Sequence, residues 1–309
     1  MNKPLSNRLI KLLVNALFLL SIVTLHAAVA GDKIDQALNV EASGIVFINI
    51  PRGVVEIQGW NKAQILLQGE LDDAVEKVIF KNSRQKTLVQ VITHVNKHWG
   101  DGSALKVFVP QGSQVRFKGV DTSFRLSDLK AGVAGNTING DLSLNNISDK
   151  IVISSVSGNI KVFDSEGIIQ IESVSGLVDF AGDYTRARIK VMSGDITADI
   201  TGSSRLTTNN ISGDTTIIGN VKHNAKVEIR SVSGDIIFNA SQDLDAKCEM
   251  SSQFGGEITN NLTDDLPNKS KLHHNQLSFV SGKGAGHLTV NTVSGAITIE
   301  NRVINTLAK

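Results

Sequence analysis

Apolar and polar residues alternate in short runs along most of this chain, and one recurring phrase punctuates them. It reads apolar, Ser, Gly, often acidic, apolar. Clear copies are Val156-Ser157-Gly158-Asn159-Ile160, Val174-Ser175-Gly176-Leu177-Val178, Met192-Ser193-Gly194-Asp195-Ile196, Ile211-Ser212-Gly213-Asp214-Thr215, Val232-Ser233-Gly234-Asp235-Ile236 and Val293-Ser294-Gly295-Ala296-Ile297. Ile138 to Leu142 and Phe254 to Ile258 are looser copies. Further apolar residues flank each phrase at every second position, as Val227 and Ile229 before Gly234 and Ile236 and Phe238 after it. Period-2 alternation on both sides of a glycine predicts strand, sharp corner, strand, with one face inward and the other in solvent. Glycine suits such a corner because it reaches positive φ without a Cβ clash. Ser, Asn and Asp suit it because they hydrogen-bond the backbone at turns. On this reading the flanking Val and Ile fill the core.

The anchoring glycines are 140, 158, 176, 194, 213, 234, 256 and 295, spaced 18, 18, 18, 19, 21, 22 and then 39 residues apart, the last step being about two periods. A period near 20 is the signature of stacked repeats in which one unit alone buries almost nothing. The expected fold is all-β: a β-solenoid, written as a single-stranded β-helix, of roughly 18–22-residue coils with a β-rich N-terminal section.

Ahead of the repeats, Val46, Ile48 and Ile50, then Val55, Ile57 and Trp60 either side of Pro51-Arg52-Gly53, predict strands joined by a turn, as does Gln64 to Gln68. Leu71 to Lys77 reads as a loop or helical turn. Thr87 to His94 and Leu105 to Val109 read as strands split by a turn at Trp99-Gly100-Asp101-Gly102. The expected division is an export signal over 1–30, a β-strand section over 31–118, the repeat solenoid over 119–300 with an irregular excursion at 261–275, and a tail over 301–309.

The signal is expected because Lys3, Arg8 and Lys11 precede an apolar run from Leu12 to Leu25 and a small-x-small site at Ala28-Val29-Ala30. The run is short for a membrane span and no second one follows, so no integral span is expected after cleavage. Cleavage takes three of the 31 basic residues, leaving 28 against 30 acidic, a net charge of −2. Such a balance gives no electrostatic case for nucleic acid. Aromatic residues are 5% of the chain and proline numbers four, which suits repeated β coils better than a large enzyme core. The one cysteine, Cys248, excludes an internal disulfide and is expected to be buried.

Candidate chemistry is sparse. Asp141, Asp195, Asp214, Asp235 and Glu257 follow the corner glycines and could stack about 5 Å apart, near the spacing of paired glycosidase carboxylates. They could also offer oxygen ligands to Ca²⁺. Turn chemistry explains them more simply, and a residue that repeats in every coil does not mark one catalytic centre. His94 and His98 have helical metal-pair spacing but lie in a strand-like stretch, where they would stand about 13 Å apart. His273 and His274 fall in the polar excursion. Trp60 and Trp99 could stack on sugars, though Trp60 at a strand end is expected to cover a core edge. No Gly-x-Ser-x-Gly elbow is present. No catalytic, cofactor-binding or metal site is assigned, and no cofactor is expected.

Gly53 to Trp60, Leu105 to Gly112, the Ser-Gly-Asp-Ile repeats and the closing Leu277 to Gly295 together resemble the bacterial "putative adhesin" family of β-strand-repeat proteins of unknown function. Asn159, Leu177 and Ala296 depart from its usual Asp, and Gly255 from its Ser. The resemblance implies a β-solenoid in the cell envelope and no chemistry. The expectation is an exported, periplasmic or otherwise envelope-located protein that is not an enzyme. Its role would be passive binding of an envelope glycan or protein. A self-associating scaffold is the alternative, and a glycan lyase or hydrolase on a β-helix a third class.

Overall fold

A computed structural model describes residues 33–94, 100–200, 203–221, 223–240, 244–269 and 274–302. These residues form 23 strands and no helix, and hydrogen bonds join the strands into one continuous sheet. The sheet folds back on itself at the glycine corners, so the molecule is solenoid-like, with two facing walls around an apolar interior.

The parallel register follows the phrase. Ser157 lies opposite Ser175, Ser175 opposite Ser193, Ser193 opposite Ser212 and Ser212 opposite Ser233. Strands that end at the Ser-Gly corner build the front wall, and those that begin after it build the back wall. Ile151, Ile153, Ile169, Ile171, Val227 and Ile229 of the front wall are buried against Ile160, Val162, Val178, Phe180, Ile236 and Phe238 of the back wall. Burying each such side chain contributes about 1.5–3 kcal/mol, so a single coil gains little until its neighbours cover it.

Glycine is required at the corner. Gly194 has φ +146°, and a Cβ there would stand 2.2 Å from the Gly176 carbonyl oxygen of the adjacent coil. Coils hydrogen-bonded this closely at a sharp bend leave no space for a side chain.

The N-terminal strands belong to the same stack. Ser43–Trp60 runs parallel to Gly112–Leu129 along nearly its whole length. Its first half also pairs with Lys86–Thr93 and its second half with Ser103–Pro110. The latter two therefore form one more coil, one strand in each wall, rather than a hairpin. Val75–Ser83 is a strand antiparallel to Lys86–Thr93, so the loop or helical turn expected over Leu71–Lys77 gives way to strand from Val75. Its first turn is fixed by Asp72, whose carboxylate accepts the backbone N–H of Ala74 at 2.7 Å and of Gly102 at 2.8 Å.

Stacking order departs from chain order near the C-terminus. Gly286–Ser294 lies between Lys226–Ser233 and Ala246–Ser252, parallel to both. Gly295 therefore packs on Gly234, and Gly256 packs on Gly295. The 39-residue step is thus a reversal of stacking order, not two periods. Asn275–Ser281 closes this end of the front wall antiparallel to Ala246–Ser252, and the two-residue strand Asn268–Lys269 pairs with it from within the excursion.

Candidate functional site: the corner and its exposed ridge

The core expectation holds for only one side of the phrase. Ile160, Val178, Ile196, Ile236 and Ile297, after the glycine, are buried. The apolar residue before Ser-Gly points outward instead. Val120, Ile138, Val156, Val174, Met192, Ile211 and Val232 are each 42–47% exposed. Parallel register aligns them into a ridge that runs along the outer front wall beside the corner.

The inward position next to the corner is mostly polar. Thr137, Ser155, Ser173, Asn210 and Ser231 are buried there, each immediately before the exposed apolar residue, and Thr292 is buried before the half-buried Val293. The sharp bend turns backbone carbonyls inward, and Thr137, Ser173 and Asn210 reach them, while the hydroxyls of Ser155, Ser231 and Thr292 make no such bond. Asn210 Nδ2 donates to the carbonyl oxygens of Gly194 and Gly213, both at 3.0 Å. Thr137 Oγ1 lies 2.8 Å from the carbonyl oxygen of Asn139 and 3.0 Å from that of Thr122, its one hydroxyl hydrogen shared between them. An unmet buried acceptor costs about 1–3 kcal/mol, so a polar residue takes the inward place and alternation sends its apolar neighbour out.

The acidic corner residues do a related job between coils. Asp141 Oδ1 accepts the backbone N–H of Asn159 at 2.8 Å, and Asn159 Oδ1 accepts that of Leu177 at 3.0 Å. A second run continues from Asp195 to Asp214 at 2.8 Å, Asp214 to Asp235 at 2.9 Å and Asp235 to Ala296 at 2.8 Å. Asn serves as well as Asp because both present Oδ1. Leu177 and Ala296 end the runs because neither can accept. Each bond goes to the adjacent coil rather than to the residue's own turn, which the sequence alone did not distinguish.

On the outer front wall, Arg188, Lys190, Arg205, Lys226 and Arg230 are exposed on the side of the ridge away from the corner. The ridge is therefore flanked on one side mostly by basic residues, with Glu172 and Glu228 among them, and on the other by the corner carboxylates. Beside it, the small outer side chains of Asn136 and Ser154 leave a shallow depression of about 310 Å³ that also touches Ile138, Val156, Val174 and Met192 and is bordered by Glu172 and Lys190.

The remaining candidates are placed as follows. His94 Nδ1 lies 3.9 Å from Glu76 Oε2, while His98, Trp99 and His273 lie outside the described residues. His274 shares a 3.3 Å contact with Gln276 Nε2. Among the described residues, no three His, Cys, Asp or Glu side chains gather as metal ligands. Trp60 stacks on Phe108 with ring centroids 5.1 Å apart, and its Nε1 donates to the Gln64 carbonyl at 2.7 Å. Cys248 is buried, and burial pushes its thiol up to about 12. Asp245 accepts the backbone N–H of Lys283 at 2.7 Å and of Ala285 at 3.2 Å. Those backbone donors, with Ala285 first, hold its carboxyl below the ordinary value.

The fold and corner ladder define an all-β, solenoid-like repeat protein. The chain belongs to the Toastrack DUF4097 family, whose family model matches residues 105–300. No curated protein matches it. Among solved structures it is similar to a "putative lipid binding protein" from Parabacteroides distasonis, at 12% identity and TM-score 0.48 over 88% of this chain and 98% of that one. It is also similar to a "putative adhesin" from Bacteroides fragilis, at 13% identity and TM-score 0.39 over 87% of this chain and 97% of that one. A third is a "putative cell adhesion protein" from Clostridium sporogenes, at 9% identity and TM-score 0.26 over 88% of this chain and all of that one. At these identities and scores nothing about function passes from them to this chain.

Proposed function

We propose that this is an exported cell-envelope protein that binds passively and catalyses nothing, built as a β-solenoid of roughly 18–22-residue coils. The observation that carries the reading is the straight columns. In-register pairing sets like positions of successive coils about 4.8 Å apart, so each outer wall is a periodic array rather than a single pocket. Such an array suits many weak contacts to a partner that itself repeats, such as an envelope glycan, or to an envelope protein. The corner aspartates support a structural role, since Asp141, Asp195, Asp214 and Asp235 each have an oxygen committed to a backbone N–H of the neighbouring coil.

A glycan panel and an envelope-protein pull-down test this with the purified protein. Specific, saturable capture that weakens when outer-wall side chains are changed is the expected result. A panel returning nothing specific overturns the binding reading. Turnover of a glycan that disappears in an Asp195→Asn, Asp214→Asn, Asp235→Asn triple variant would overturn the non-enzymatic one.

A further inference from the structure

The exposed ridge is unlike the rest of the outer surface. It places seven large apolar side chains, from Val120 to Val232, in one line. With coils about 4.8 Å apart, the line is ~29 Å long. A continuous apolar strip of this extent on an otherwise polar wall marks an interaction site.

The two flanks identify what covers it. Lys190 and Arg230 stand two residues before Met192 and Val232, on the wall side. Asp195 and Asp235 stand three residues after the same ridge positions, on the corner side. An anionic lipid surface would attract the first flank and repel the second. A neutral apolar partner would leave both flanks unmatched. A second copy, turned about an axis parallel to the stack, sets each flank opposite its counterpart. We propose that the ridge from Val120 to Val232 seats a second copy of this chain, lying alongside with its coils parallel and in register.

In this joint Lys190 faces Asp195 of the second copy, and Arg230, which also bridges Glu228 of its own strand, faces Asp235 of the second copy. The wall column that holds Lys190 and Arg230 also holds one acid, Glu172, and its coil is the one whose corner residue is Leu177. In-register pairing therefore sets no carboxylate against another there. A rotation about an axis across the ridge would instead put the basic flank on the basic flank. With Lys190 opposite Asp195 the two ridges meet crest on crest, and the depression of about 310 Å³ between the ridge and the Lys190 column lies at the edge of the contact. A strip this narrow falls at the low end of specific interfaces, below about 1,200 Å² in total, so the dimer is weak and concentration-dependent. Pairing two molecules would double the outer-wall arrays offered to a repeating partner, but the dimer stands independently of what those arrays bind.

Sedimentation velocity over a range from micromolar to near-millimolar protein tests the proposal. A monomer–dimer equilibrium that weakens with added salt is expected. Val174→Asp together with Val232→Asp is expected to weaken dimerisation at least tenfold. Val174→Thr with Val232→Thr, which keeps the β-branched shape, is expected to act in the same direction. Lys190→Glu and Asp195→Lys should each be monomeric alone and form a mixed dimer when combined, because both junctions then carry opposite charges. A monomer at every concentration overturns the proposal. So does a dimer indifferent to the ridge variants, a failure of the two charge variants to rescue each other, or wild-type monomer binding to anionic vesicles through the ridge. Glycan capture by the monomeric ridge variant is read separately, so loss of the dimer and loss of binding are told apart.

Discussion

Asp235 accepts, through Oδ1, a hydrogen bond from the backbone N–H of Ala296, 2.8 Å away and 61 residues on in the chain. The same geometry links Asp214 to Asp235 over 21 residues and Asp195 to Asp214 over 19. The corner ladder thus reads through the change of stacking order without interruption. Its role is to hold adjacent corners together, whichever part of the chain supplies the next coil.

If that role is structural, charge is dispensable and the acceptor is not. Asp214→Asn is expected to leave thermal stability nearly unchanged, and Asp214→Ala to lower it by about 1 kcal/mol, the usual net value of one hydrogen bond. Thermal unfolding of the two variants followed by circular dichroism distinguishes them. An Asn variant as damaged as the Ala variant would point to a function for the carboxylate itself.

Gly194→Ala is expected to cost at least about 2 kcal/mol, because a side chain must adopt a positive φ and clear a carbonyl oxygen of the adjacent coil. Urea denaturation measures the loss. An unchanged midpoint would mean the corner is looser than the close backbone approach implies.

Inward and outward positions should differ sharply within one strand. Ile217 is fully buried and Thr216, beside it, faces out in Thr215–Gly219. Ile217→Asp buries an unpaired charge and should cost roughly 4 kcal/mol or more, while Thr216→Asp should stay within about 1 kcal/mol. Equal losses in chemical denaturation would contradict the wall assignment.

Asp245 predicts a pH dependence. Its carboxyl is held below the ordinary 3.8 by backbone donors from Ala285, Lys283 and Gly284. A lowered folded value means the unfolded chain takes up the proton first. The contribution is therefore complete above the ordinary value and is lost as pH falls through the lowered one. The stability difference between wild type and Asp245→Asn should be constant near neutrality and shrink in acid. A difference that grows in acid would contradict the assignment.

Cys248 should resist alkylation in the folded protein at mildly alkaline pH and react promptly once unfolded, since burial keeps the thiol protonated. Rapid native-state modification, followed by mass spectrometry, would place this residue in an opening coil.

Much of the fold was legible along the chain. Alternation about each glycine identified the buried positions of both walls, as at Ile229 and Phe238. The spacing of the phrase anticipated parallel register from Ser157 through Ser233. Both follow from local rules: the two-residue period of a strand, and the tolerance of glycine for a backbone conformation that other residues avoid.

Three features were settled only in three dimensions. The side to which Val174 and its equivalents turn is one. Val174 lies an odd number of positions after the inward Ile169 and Ile171, so alternation points it out, while its apolar character argued for the core, and only the packing decided between the two. It took the inward-turned carbonyls of the corner, met by side chains such as Asn210, to send the apolar residue outward. The direction of the acidic side chains is another, since a turn residue and an inter-coil clamp share one sequence. Stacking order is the third. Coils with the same period and the same phrase can pair with one another in any order as far as local sequence is concerned. What sets the order here is a turn in which Gly282 and Gly284 have positive φ and Asp245 holds the backbone of Lys283 and Ala285. That turn carries the chain from one side of Ala246–Ser252 to the other. Sequence determined the repeating unit because its forces act within a few residues. The order of the units, and the ridge their register creates, depend on contacts between residues far apart in the chain.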